Sequence, residues 1–209
     1  MRETKSSRTL RFAALAAVLA SVAVPGAAVA HGGGGGGSGS GLPVPALGHG
    51  EMAVLAPYRG AIFELARSAA DTSEPFRRML NFAEIQYAYC LWGTMPGGVT
   101  DEESPFNECS HAYLAATRAV LLKLREMPRE AAAAGELVSK IDTEMALNSM
   151  SLIQCQYSGE SFNTADIVKP RWSAVPFHAP SAAVFSGVFL SASAAGWGAA
   201  RFLRGKPQG

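Results

Sequence analysis

The sequence predicts an all-α fold, an up-down four-helix bundle outside the membrane followed by a single C-terminal transmembrane helix. Three observations carry this expectation. Apolar residues recur at the three- and four-residue intervals of a helix through four successive segments between residues 57 and 157. No segment shows the strict apolar–polar alternation of a half-buried strand. The stretch 181–200 holds no charged residue and is followed directly by Arg201, Arg204 and Lys206.

Residues 1–30 have the three parts of a secretory signal peptide. Arg2, Lys5, Arg8 and Arg11 precede an apolar run over 12–24, which Pro25 and Gly26 interrupt before the small residues Ala28, Val29 and Ala30. The run falls short of the roughly 20 apolar residues that cross a bilayer, so export with cleavage is expected, placing the main domain in the periplasm. His31 then opens a run of glycines and serines to Gly41, and Pro43 and Pro45 keep the following residues extended. Such a composition buries little apolar surface, so 31–55 is expected to be a flexible tether, with order starting near Ala56.

The first helix is expected over 57–70, with Tyr58, Ile62, Leu65 and Ala69 on one face. Thr72 and Ser73 are capping residues and Pro75 suits a first turn, so a second helix follows, carrying Phe76, Met79, Ala83, Tyr87 and Cys90 and stopping at Gly93. A loop rich in glycine and acidic residues reaches Ser104 and Pro105, another cap-and-start pair. The third helix aligns Phe106, Cys109, Tyr113, Ala116, Val120, Leu124 and Met127 before Pro128. The fourth, from about Glu130 to Tyr157, aligns Leu137, Ile141, Met145, Asn148, Leu152 and Cys155, with Gly159 as its stop. Short connections favour antiparallel neighbours, which makes 56–158 a bundle domain.

Prolines at 170, 176 and 180 make 159–180 an irregular stalk or strap. Residues 181–203 form the expected membrane span and 204–209 a basic cytoplasmic tail, as the positive-inside rule requires. Within the span, Ala183, Gly187, Ser191, Ala195 and Ala199 recur every fourth residue. Small side chains at that spacing let a second membrane helix approach closely, so this row is the expected contact with another membrane protein or a second copy. The ending, Val175-Pro176, an apolar helix and a basic cluster, also resembles the layout of C-terminal protein-sorting tags, without their Pro-Glu-Pro.

The chain has three cysteines. In an oxidising compartment two are expected to pair. An up-down bundle brings Cys90, Cys109 and Cys155 to the same end, and a Cys90–Cys109 disulfide would staple the second helix to the third, stabilising the domain by around 3 kcal/mol. The competing reading is a metal- or cofactor-binding redox protein that uses all three thiols, with Tyr87, Trp92, Tyr113 and Tyr157 nearby. The nearest fourth ligand in sequence, His111, lies two residues beyond Cys109, a helical rotation of about 200° that turns it away from the thiol stripe.

Other constellations are weaker. Glu108 and His111 form one Glu-x-x-His pair, whereas a di-iron bundle needs two such pairs and two more glutamates; Glu84 and Glu144 are the available carboxylates. His31, if exposed as a new N-terminus, is a weak candidate metal ligand through its amine and imidazole, but flexible glycines follow it. No Gly-x-Ser-x-Gly elbow and no phosphate-binding Gly-Lys-Ser/Thr loop is present. Eighteen basic residues against 17 acidic ones leave no field to attract nucleic acid. The expectation is therefore a membrane-anchored binding or accessory subunit with no cofactor and no catalytic residue, the redox protein being the alternative.

Overall fold

The computed structural model describes residues 41–204. The expected signal peptide, the first part of the tether with His31, and tail residues 205–209 lie outside them. Among the described residues the fold is helical: α1 (His49–Leu55), α2 (Arg59–Ser68), α3 (Glu74–Tyr89), α4 (Asn107–Arg125), α5 (Ala131–Leu147) and α6 (Ala179–Arg204). The strands β1 (Pro43–Val44) and β2 (Phe162–Asn163) form one short antiparallel pair, with Val44 opposite Phe162.

Order begins well before Ala56. Pro43 and Pro45 hold the chain extended as expected, but Val44 and Leu47 between and after them are completely buried. From Gly48 the chain turns into α1, whose Met52 and Leu55 join the same core. Residues 42–55 therefore belong to the domain and not to a tether. The glycines and prolines mask five core side chains, Val44, Leu47, Met52, Val54 and Leu55, that are spaced for an extended segment followed by a helix.

α3 forms as its sequence implies: Ser73 Oγ accepts from the Phe76 amide (3.3 Å) and Pro75 occupies the first turn. It stops where Leu91, Trp92 and Gly93 adopt left-handed backbone (φ 52°, 53° and 61°). α4 is the centre of the fold. α1, α2, α3 and α5 all pack against it, and from Cys109 to Thr117 every residue is buried. A helix with one buried stripe was expected here; α4 instead buries its whole circumference over more than two turns, which its alanines at 112, 115 and 116 permit by letting neighbours approach from several sides.

The fourth expected helix is shorter than its apolar spacing suggests. α5 ends at Leu147; Asn148 caps it, its amide donating to the Glu144 carbonyl (3.0 Å), and Ser149 enters the left-handed region (φ 52°). Beyond it a 3-10 turn at Met150–Leu152 leads into a loop, so Cys155 sits on irregular chain and not on a bundle stripe.

The segment 159–180 is a strap. β2 ties its start to β1, and the Arg171 amide donates to the Pro105 carbonyl (2.9 Å). At its end Val175 packs with Met95 and Phe106, and Val184 and Phe185 from the first turns of α6 close over them. His178 links Asp101 (3.0 Å) to Ser181 (2.7 Å) at the root of α6. Past Phe185 the helix leaves the domain. Ala179–Phe202 is a 24-residue segment, long and apolar enough to cross a membrane; its most apolar 18-residue window has mean hydropathy 1.3, and none of that window is buried.

Candidate functional site

The disulfide joins Cys90, just past α3, to Cys109 in the first turn of α4, with Cα atoms 5.9 Å apart. Tyr87 and Tyr113 meet edge to face beside it, ring centres 5.0 Å apart. Cys155 is free. The three cysteines do not converge, because Cys155 lies against Asn107 and His111, and each of these is two residues from Cys109 and so on the other side of α4.

That other side holds the most concentrated chemistry among the described residues. His111, one turn into α4 and fully buried, places Nε2 3.1 Å from Cys155 Sγ. Asn107, a turn earlier, has Oδ1 4.0 Å from the same sulfur while its amide group faces the Gly98 and Val99 carbonyls. His49, the first residue of α1, brings its ring to 5.7 Å from the His111 ring, and Tyr157 approaches His111 from a further side at 6.0 Å. One ligand atom each from His49, His111 and Cys155 lies within 4.8 Å of the other two.

Local backbone features hold the three together. The Gly50 amide donates to the Ile153 carbonyl (3.1 Å). A Cβ at Gly50 would lie 1.8 Å from the Met150 carbonyl oxygen, so only glycine lets the start of α1 lie flush against the 150–155 segment. Ser158 then joins both sides: its hydroxyl oxygen accepts from the amides of His49 (3.1 Å) and Cys155 (2.8 Å). The same hydroxyl donates toward Cys155 Sγ at 3.6 Å.

The electrostatics favour the neutral form of His111. Burial is the main cause that lowers the His111 pKa to about 4, the charge of His49 adds to it, and only the Leu47 carbonyl favours the protonated ring. The Nδ1 atoms of both histidines are buried and lack a well-formed hydrogen bond. Tyr157 is held above its ordinary pKa, mainly by burial, and Glu108 is likewise raised by burial and then by Glu160. A thiol beside the neutral His111 imidazole can act as a nucleophile with His111 as its base, or His49, His111 and Cys155 together can hold a transition metal.

Helical rotation turns His111 away from Cys109, and the sequence expectation separates it from the thiols for that reason. The rotation is right, but the opposite face of α4 is also interior and carries its own thiol. The available signal was the number of apolar residues off the main stripe of α4, such as Leu114 and Leu121, which mark a helix buried all round. His49 and the Cys155 loop join through contacts 109 residues apart in the chain, which no local pattern encodes. The carboxylates of the imagined di-iron set are engaged elsewhere, Glu84 with Arg67 (2.7 Å) and Glu144 with the Tyr58 hydroxyl. Ala183, Gly187, Ser191, Ala195 and Ala199 all lie on the exposed part of α6.

No family model, no curated protein and no solved structure matches the chain.

Proposed function

We propose that the chain is an exported helical domain, anchored in the cytoplasmic membrane by α6, that serves as a binding or accessory subunit of a membrane-associated assembly. The observation that carries this reading is the surface of α6. Val188, Phe189, Leu190, Trp197 and Phe202 are all exposed on it, and no charge appears between Arg171 and Arg201 to keep one side in water. An uncovered apolar surface of this extent is rare on a free soluble domain. A bilayer would cover it, with Arg201 and Arg204 at the cytoplasmic side. The row of small residues from Ala183 to Ala199 would then offer a close seat for a partner's membrane helix or a second copy. A disulfide between Cys90 and Cys109 suits an oxidising compartment.

The test is a reporter fused after residue 160, paired with crosslinking of the full chain in detergent. Activity of a reporter that works only outside the cytosol, membrane retention that is lost on deleting 181–209, and a crosslinked species that disappears with Gly187→Leu and Ser191→Leu are expected. A reporter active only in the cytosol would overturn export. A tail that crosslinks to nothing, with or without the two leucines, would overturn the subunit role.

A further inference from the structure

We propose that His49, His111 and Cys155 form a site for a thiophilic d10 cation, zinc(II) or copper(I), bound by two imidazoles and one thiolate with a fourth position open toward solvent. The donor types are those that such ions select: imidazole nitrogen and thiolate sulfur, with no carboxylate in the group. The spacing is also suitable. Metal–sulfur and metal–nitrogen bonds of about 2.3 and 2.0 Å place neighbouring donors roughly 3.3–3.8 Å apart in tetrahedral or trigonal geometry. His111 Nε2 and Cys155 Sγ already stand 3.1 Å apart, and all three donors lie within 4.8 Å, so the third ligand is within reach of a small side-chain adjustment.

A second observation points the same way independently of that spacing. His49 is buried, and its Nδ1 is a buried atom with no hydrogen-bond partner. A buried ring nitrogen left without a partner carries a desolvation cost that a cation bound to it would remove. The surrounding shell is built for the purpose. Ser158 donates toward the sulfur, which favours the thiolate a metal requires. The two amides that Ser158 accepts fix the His49 and Cys155 backbones relative to each other. Both histidines are interior while Cys155 is half-buried. Binding replaces the Cys155 S–H bond by a sulfur–metal bond and releases one proton to solvent, with no change in oxidation state.

The experiment uses the full chain purified in detergent, stripped with chelator and titrated with cobalt(II) as a spectroscopic stand-in for zinc. One equivalent should produce a thiolate-to-cobalt charge-transfer band that zinc abolishes by displacement. Cys155→Ser should lose the band outright, and His49→Gln or His111→Gln should weaken binding by at least about tenfold. His31, which lies outside the described residues, cannot generate that band, so it does not confuse the reading. A variant-free measurement guards against misfolding: zinc(II) or copper(I) should each slow alkylation of Cys155 in the unmodified chain. The cation that protects at the lower free concentration is the one assigned. No charge-transfer band together with unchanged alkylation in both cations would overturn the site and leave Cys155 and His111 as a reactive thiol–imidazole pair. A thiolate-to-cobalt band retained in Cys155→Ser would equally overturn it.

Discussion

Gln86 and Val168 pair as two peptide groups would. The buried Gln86 side chain donates to the Val168 carbonyl (2.6 Å) and accepts from the Val168 amide (3.0 Å), so one glutamine on α3 satisfies a whole residue of the strap. Replacing it with leucine keeps the volume and orphans both backbone groups. Gln86→Leu is therefore expected to cost about 2–6 kcal/mol, at roughly 1–3 kcal/mol for each of the two groups left unpaired, read as a lower midpoint in urea denaturation. An unchanged midpoint would mean that water reaches Val168.

Gly50 supports the histidine–thiol cluster by having no side chain. Gly50→Ala forces a Cβ into the Met150 carbonyl, and relief must separate α1 from the 150–155 segment. We expect a destabilisation of about 1–3 kcal/mol and faster alkylation of Cys155 under native conditions. Gly60→Ala is the control, since a Cβ there meets nothing within 4 Å.

Acid should weaken the metal-free protein through His111. Its pKa is about 4 in the folded state against an ordinary 6.5, so the unfolded chain binds the extra proton between these values and the folded one does not. Stability is then fully present above pH 6.5 and falls as the pH drops toward 4, by up to about 3 kcal/mol. Thermal melts in chelator across that window should show the decline, and His111→Gln should flatten it. A profile as steep in the variant would assign the effect to other groups.

The cysteines are expected to titrate as one free thiol and one disulfide when the oxidised chain is denatured without reductant. The bridge spans 19 residues, and removing it by Cys90→Ser with Cys109→Ser should cost around 3 kcal/mol. Three reactive thiols in protein taken from its native compartment would contradict the pairing.

What could be read in the sequence follows the range of each interaction. The start of α3 was visible because Ser73 and Pro75 act within one turn, and the Cys90–Cys109 bridge because both residues flank one loop. The end of α5 was hidden: Asn148 and Ser149 stop it without a glycine or proline, and the apolar spacing runs on through Leu152 and Cys155 as though the helix continued. α1 was hidden by the prolines and glycines around it. The contact of His111 with Cys155 depends on how the loop after α5 folds back onto α4, a relationship between elements that periodicity within one element does not describe.

The root of α6 carries a further consequence. Val175, Ser181, Val184 and Phe185 are packed or partly packed where the helix leaves, and His178 clasps Asp101 on one side and Ser181 on the other. Asp101 is held ionised below its ordinary range, chiefly by that His178 hydrogen bond. Among the described residues, the start of α6 is therefore held to the domain by both apolar packing and side-chain hydrogen bonds. With α6 seated in a bilayer, the inclination of the helix would set the bearing of the domain, and a neighbour that tilted the one would steer the other like a rudder on a fixed shaft.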